Sequence, residues 1–587
     1  MTTLIYDIEV FSHNSMVVFK DLEGETVRVF SSSLDGLGEY VDKGVLTEQG
    51  FGRLEEFVTG KTLVGYNNYH FDDYILYAMT KELPQEIIKA WNDSIITGQS
   101  TVNMKKITCC RTLDCFQQID VSRPGLKKIE GNMGESIVES GVAFNIDRPL
   151  TPQENLETLL YCEYDVEQTL KIYKMRKNYF ESKNGIISML QNPTLEQKAI
   201  KWNTTSIVGQ LLKPKYKAPA RRLVDDDLLE LVPIEVAEMW RQLDTTIDFK
   251  FKKRKVVVEE FGNVIEFGWG GLHGAPKGAI RREHVRLADV ASMYPNILIL
   301  LNGLGDKTEE YKRILEYRLE LKHAGKKKEQ EPLKLLLNST YGLLNNQYSA
   351  INNPHLAYSI CIYGQISLYV QSQRLAGIGA EIININTDGV AYCYPGEGDQ
   401  IIFDEWQEEF GLTLESDYFT KWIQANVNNY VAQTDSGYIV TKGGDVNKYH
   451  EPRYFANNDI RITHIALVDY LLHGVPVQET IRKNLDKPEL YQYILQAGST
   501  YQGVVEASAP DDLLPTKINR VFATRARGIE ILKKRQDDGL VKFADAPGQM
   551  YLWNEHVKDI PHFEKMIDLQ WYYDLTMKMV KRWEVMG

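Results

Sequence analysis

The stretch INTDGVAYC, residues 385–393, constrains the fold more than any other. An apolar strand runs into a tight turn and out into a second strand, which commits this part of the chain to a β-sheet. A single carboxylate, Asp388, stands at the tip, and Asn386 precedes it by two residues. A lone acid on a hairpin is commonly just a turn residue, because Asp tolerates turn conformations. Chemistry at Asp388 therefore requires a partner carboxylate from elsewhere in the chain.

The chain is long enough to supply one from another segment: 587 residues correspond to about three to five domains. Hydrophobic residues make up 43% and charged residues 25%, an ordinary globular balance. No apolar run approaches the roughly 18 residues of a membrane span. Asp7 and Glu9 fall where a secretory leader needs an apolar core, so a cytoplasmic protein is expected. The six cysteines form no CxxC pair, which argues against structural zinc and suits a reducing compartment. A net charge of −13 excludes indiscriminate nucleic-acid binding over the whole surface but leaves room for a local basic groove. KRILEYRLELKHAGKKK, residues 312–328, carries seven Lys/Arg against two Glu. Taken alone, such a run reads as a solvated helix face.

Residues 1–30 alternate as a hairpin would. TPQENLETLLYCEYDVEQTLKIYKMRKNYF reads as a long helix, opened by a Thr151/Glu154 capping box with Pro152 at its first position. Residues 181–260 read as a mostly helical connector ending in a strand, followed by a glycine-dense patch, FGWGGLHGAPKG (267–278). A strand then runs into Tyr294 and Pro295 in a turn. Helices over about 307–323 and 330–345 flank the turn HAGKKK as a helical hairpin. Another helix covers 355–376, and the last 160 residues mix helices and short strands.

Two carboxylate sets stand out. In YDIEV, Asp7 and Glu9 lie two apart on a strand, hence on one face. GYNNYHFDDYIL adds Asp72, and YCEYD puts Tyr161 and Asp165 four apart on one helix face. Four carboxylates around two divalent ions can activate a water and stabilise the leaving oxygen of a phosphodiester, and all-oxygen ligands suit Mg²⁺ or Mn²⁺. The ordered set DxE, NxxFD, YxxxD resembles the exonuclease motifs of DEDD-type 3′–5′ proofreading domains. That resemblance implies metal binding by Asp7, Glu9, Asp72 and Asp165, and a water-orienting role for Tyr161. It also implies contacts of Asn68 and Phe71 with a frayed 3′ strand. PGLKKI resembles a further single-strand-binding motif, of which Leu126 matches and Gly125 does not.

The second set begins with Asp289 in DVASMYPNI, continues in KLLLNSTYG (334–342) and ends in NTDG. The three follow the order of motifs A, B and C of family B DNA polymerases, roughly DxxSLYP, KxxxNSxYG and DTDS. The resemblance implies a palm in which Asp289, Asp388 and the Val290 carbonyl hold two metal ions. It makes Arg318, Lys322 and Lys334 triphosphate contacts, with Lys334 also catalytic and at the start of the second finger helix. Asn338 and Tyr341 line the nucleotide pocket, and Tyr294 lies under the deoxyribose. Two departures are the asparagine of NTD and the final glycine, Gly389. Asn386 carries no charge, so it is at most a weak neutral ligand. Gly270 and Gly271 fit a linker between the two active sites, either for close approach of DNA or as a plain tight turn. Tyr430 and Lys442 fit a primer-terminus contact. The basic stretch 519–535 is a candidate phosphate track.

The expected architecture is an α/β and α+β multidomain chain: an RNase H-like exonuclease domain (1–185), then connector and first palm segment (186–300), fingers (301–350), second palm segment (351–425) and thumb (426–587). The expected activity is template-directed DNA synthesis with proofreading, in phage DNA replication inside a host bacterial cytoplasm, by a monomer using two Mg²⁺ or Mn²⁺ per site. Expected partners are primer-template DNA and dNTPs, with a processivity factor, helicase or single-strand-binding protein as accessories and no membrane. The short spacings between the three polymerase motifs argue against protein priming and against built-in processivity. Two alternatives stay open: a 3′–5′ exonuclease with an inactive polymerase half, and a primer-independent polymerase or primase.

Overall fold

A computed structural model describes residues 2–99, 103–216, 219, 221–243, 253–456 and 460–584. It is a mixed α/β multidomain protein with a sheet of five strands, one of nine, and two small C-terminal sheets. Among the described residues no helix is long and apolar enough to cross a membrane.

The first sheet runs in the order Thr26–Ser31, Ser15–Lys20, Thr3–Val10, Thr62–Gly65, Arg111–Asp114. Its first three strands are antiparallel and its last three parallel. The expected hairpin of residues 1–30 is thus a three-strand meander, broken at the turn where the Asp21 carboxylate accepts from the amides of Glu23 and Glu25. Strand Thr3–Val10 is apolar on both faces because both are covered. Leu4, Tyr6, Ile8 and Val10 join one core cluster. Ile5 joins another with Leu159, Cys162 and Val166 of the helix Pro152–Met175. Period two therefore turns Asp7 and Glu9 toward that helix. The helix starts as its sequence dictates. Thr151 Oγ accepts from the Glu154 amide, the Glu154 carboxylate accepts from the Thr151 amide, and Pro152 occupies the first position.

The nine-stranded sheet has Ile280–Val290 near its centre, flanked by Gly389–Cys393 and Leu414–Asn426. Even-numbered residues such as Ala288 and Val290 pack in the largest core with the buried helix Pro354–Gly377. Odd-numbered Val285 and Leu287 face the opposite side, with Phe419, Trp422 and Tyr430. Asp289 shares that second face.

Tyr294 and Pro295 lie in the helix Met293–Leu300 rather than in a turn. Proline is tolerated there because first-turn N–H groups have no intrahelical acceptor to lose. The helical hairpin is Thr308–His323 and Lys327–Asn345. The second helix begins three residues earlier than its sequence suggests, despite Pro332 inside it. Pro332 packs against helix Lys177–Ser188 at Gly185, where any added Cβ would lie 2.7 Å from the proline ring. That packing offsets the missing hydrogen bond.

The C-terminal part packs helices Arg461–His473, Val477–Lys483 and Leu569–Trp583 around one core. Beside them lie the sheets Tyr493–Gln496/Ile518–Ala523/Met550–Leu552 and Ala509–Leu513/Tyr501–Glu506/Ile531–Arg535/Leu540–Lys542. The stretch 519–535 does not form a continuous basic surface: Asn519, Arg520 and Lys534 are buried.

Candidate active sites

The two carboxylate sets form two separate clusters. In the first, ligand atoms of Asp7, Glu9 and Cys162 all lie within 4.8 Å of one another. Burial, followed by repulsion from Asp72, Glu9 and Asp165, pushes the Asp7 carboxyl well above its usual range. Burial and Asp165 do the same to Glu9. Asp72 heads the helix Asp72–Thr80, and its Oδ1 is buried without a hydrogen-bond partner. Crowded carboxylates, one with an orphaned buried oxygen, form a donor set of hard oxygens that fits a divalent cation. Tyr161, half-buried, borders the cluster, and its phenol is raised by burial and then by Asp165 and Glu9.

Lys127 also faces this site, which the sequence reading missed. Its Nζ lies 2.5 Å from Asp165 Oδ1 and 4.7 Å from the centre of the Tyr161 ring. It follows Leu126, half-buried at the start of the helix Leu126–Met133, whose N-cap is Gly125. The doubled lysine that follows Leu126 was the available signal. Phe71, half-buried, is the N-cap of the Asp72 helix. Asn68 lies in the turn that leads into this helix. It has no exposed surface and donates to Asp73 Oδ1 at 3.0 Å. Asp73 also accepts from Tyr6, Thr112 and Lys201, so the acid next to Asp72 is consumed by structure.

In the second cluster Asp289 pairs with Gly389 on one side and Glu415 on the other. The Val290 amide donates to the Asp388 carbonyl at 2.7 Å, joining the strand of Asp289 to the hairpin tip. Burial, then Asp388, Glu415 and Asp417, raises the Asp289 carboxyl to about 7. Asp388 is raised by burial, with Lys442 opposing. Glu415 and Asp417 went unrecognised in the sequence, although LESD repeats the two-residue spacing of Asp7 and Glu9.

Asn386 pairs with Gly389, which in turn pairs with Asp289, and it spends its side-chain amide on a turn. Its amide donates to the Val427 carbonyl at 2.9 Å and to Asn428 Oδ1 at 3.3 Å. It ties down the turn between Leu414–Asn426 and Asn429–Thr434. The second of these strands carries Tyr430, which stacks on Trp422 with ring centres 4.3 Å apart. Lys442 pairs with Tyr430 across the sheet and lies over its ring at 5.8 Å.

Two of the three helical cations reach residues at or beside the nine-stranded sheet. Arg318 Nη1 donates to Ser292 Oγ at 3.2 Å, and its Nε is buried without a partner. Lys322 pairs with Glu415 at 2.9 Å. Lys334 stands in mid-helix, not at its start, and its nearest acid is Glu331 of its own helix at 3.7 Å. Asn338 is exposed. Tyr294 and Tyr341 pack ring to ring at 4.6 Å; the Tyr294 hydroxyl donates to the Gly270 carbonyl, and Tyr341 meets Cys361 Sγ. Gly270 has φ +123°, which only glycine adopts readily, and an added Cβ on Gly271 would stand 3.0 Å from Thr387 Cα. The patch is therefore glycine-rich to pass the hairpin tip. A cavity of about 850 Å³ lies elsewhere, and none of the six candidate carboxylates lines it.

The chain is similar to a DNA polymerase. That relative, from Archaeoglobus fulgidus, is 24% identical over an alignment of 494 positions that covers 76% of this chain and 57% of the relative. The chain thus spans little more than half the length of the curated relative. No family model matches. Among solved structures, the family B DNA polymerase of the hyperthermophilic archaeon Pyrobaculum calidifontis aligns with all of this chain and 78% of its own, at a TM-score of 0.43 and 15% identity.

Proposed function

We propose that this chain is a family B DNA polymerase with a 3′–5′ proofreading exonuclease. The observation that carries the reading is the backbone union of Asp289 and Asp388, through the Gly389–Asp289 pairing and the Val290–Asp388 hydrogen bond. A second acidic cluster of nuclease type accompanies it on a separate sheet. In this reading Asp289, Asp388 and the Val290 carbonyl hold the ions of the polymerase site. Asp7, Glu9, Asp72 and Asp165 hold those of the nuclease. Two Mg²⁺ or Mn²⁺ ions per site, when bound, would supply charge neutralisation at the departing group and a lowered pKa for the primer hydroxyl or water.

The protein's own groups do the rest. Arg318 and Lys322 receive the triphosphate, Lys322 leaving Glu415 to do so, and Lys334 joins them when the helical hairpin swings inward. Asn338, Tyr341 and Tyr294 shape the nucleotide pocket, and the Tyr294 ring excludes a 2′-hydroxyl. Tyr430, Lys442, Gly270 and Gly271 flank the primer end. Tyr161 orients the water at the nuclease site, beside Phe71 and Leu126. The domain limits given above, a monomeric state and a phage replicative role in the host cytoplasm belong to the same reading.

The test is a 5′-labelled primer on a longer template with Mg²⁺, with and without dNTPs, for the wild type and for Asp7→Ala and Asp388→Ala. Lengthening with dNTPs and shortening without them, each lost in one variant only, is the expected result. Shortening under every condition would instead mark a nuclease with an inactive polymerase half. Products formed without primer would mark a primase.

A further inference from the structure

The helix Leu126–Met133 has two working faces. One presents Lys127 to Asp165 and Tyr161. The other is fastened to the C-terminal sheets, more than 300 residues away in sequence. Lys128 Nζ donates to the Ile494 carbonyl at 3.1 Å, and Gln492 Nε2 donates to the Asn132 carbonyl at 2.9 Å. The Asn132 amide donates to the Tyr454 carbonyl at 2.8 Å. The segment after the helix is held too. The Val557 amide donates to the Gly134 carbonyl at 2.8 Å, and the Ile137 amide donates to the Asn554 carbonyl at 2.7 Å. Thr516 Oγ1 donates to Glu139 at 3.2 Å.

Arg520 stands at the centre of this seam with no exposed surface. Its Nε donates to Gln492 Oε1 at 2.9 Å and its Nη1 to the Glu555 carbonyl at 2.6 Å. Its Nη2 donates to the carbonyls of Gly131 at 3.1 Å and Glu135 at 2.6 Å. Every acceptor is a neutral oxygen. Burying a guanidinium with no directly paired carboxylate is costly, and packed apolar side chains would hold two surfaces together at less cost. What the planar fork adds is direction: donors fixed in one plane set the end of the helix and its flank against the segments that hold Gln492 and Glu555 at once.

We propose that Arg520 is a positioning residue for the nuclease site, acting through the helix Leu126–Met133 to hold Lys127 at Asp165. The inference rests on the nuclease reading above for its consequence and on the seam alone for its geometry. Lys127 is the cation that opposes the crowding of Asp7 and Glu9. A helix free to rock would withdraw it, and the C-terminal sheets would then govern proofreading without touching the degraded strand.

The test is Arg520→Lys in the full chain, which keeps the charge and loses the fork. Gln492→Met, which removes the residue bridging Arg520 and Asn132, serves as a second variant if the first folds poorly. Single-strand degradation is expected to fall about tenfold with primer extension held within twofold, and amide exchange over 126–139 to quicken. In a Lys127→Ala background the same change should cost less than twofold further, because the effect runs through Lys127. Parallel loss of extension, unchanged exchange, or full additivity with Lys127→Ala would overturn the proposal. A wild type that degrades nothing would refute the nuclease reading, and the exchange measurement would still decide whether Arg520 holds the helix.

Discussion

Gly389 offers the sharpest test of the proposed polymerase site, because one methyl group separates it from Asp289. The two residues pair across the sheet. A Cβ at 389 would stand 2.7 Å from Asp289 Oδ1 and 3.2 Å from Leu287 Cδ1, where ordinary contact begins at 3.4 Å. Neither strand can yield, since Ile280–Val290 is paired on both sides. The carboxylate must therefore retreat by about 0.7 Å, a shift the end of a side chain can make while the backbone stays in place. Misplacing a reacting group by about 1 Å costs on the order of 10²-fold in rate, so Gly389→Ala should slow nucleotide addition on the order of 10- to 100-fold. Single-turnover extension of a labelled primer at saturating dNTP measures this. Degradation of a single-stranded oligonucleotide by the same preparation reports on the other site and should stay within twofold. Extension at the wild-type rate would refute the reasoning, as would equal loss of both activities.

Asn386→Ala should leave extension within about tenfold of wild type, since it removes a tether to Val427 worth about 1 kcal/mol, whereas Asp388→Ala should abolish it; the same primer assay compares them. The pH dependence of stability follows from the raised carboxyls. A group whose pKa rises on folding holds its proton in the folded chain where the unfolded chain has lost it, so stability is present at acid pH and falls as pH rises. For Asp289 that window runs from the ordinary carboxylate range to about 7. In EDTA the melting temperature should fall between pH 5 and pH 8, less so in Asp289→Asn, and Mg²⁺ should restore it in the wild type; equal falls in both proteins would count against the burial argument. Extension should be distributive: only residues 301–307 separate helix Met293–Leu300 from the helical hairpin, and residues 346–353 separate the hairpin from the next helix, leaving no room for an inserted domain. Long products in the presence of a competitor trap would contradict this.

Elements whose ends are set by local chemistry were legible in the sequence. The Thr151–Glu154 box fixed the start of a 24-residue helix, and alternation placed Asp7 and Glu9 on one face. Features decided by distant contacts were not. Pro332 reads as a reason to start a helix late, and only Gly185 of another helix explains why it starts early. Asn68 reads as a polar loop residue free for a strand, yet the fold spends its amide on Asp73. Lys127 and Lys128 are adjacent and identical in type, and no local signal says that one faces Asp165 and the other Ile494.

Asn386 shows the same limit at the site itself. Against the DTD pattern it counts as one missing charge. In the folded chain what matters is hydrogen-bond polarity: an amide nitrogen can donate to the Val427 carbonyl, while an ionised carboxylate there can only accept and would face that oxygen with like partial charge. A further acid would also join a group in which burial, then Asp388, Glu415 and Asp417, already raises Asp289 to about 7. Lys442 and Lys322 are the cations set against that group, the first opposing the rise at both aspartates and the second paired with Glu415. The neutral amide thus keeps the carboxylate crowding within what two lysines and incoming cations can balance. It also fixes the turn ahead of Tyr430. The site's acidity comes instead from Glu415 and Asp417, on the neighbouring strand, where the pleat aims both at the face of Asp289.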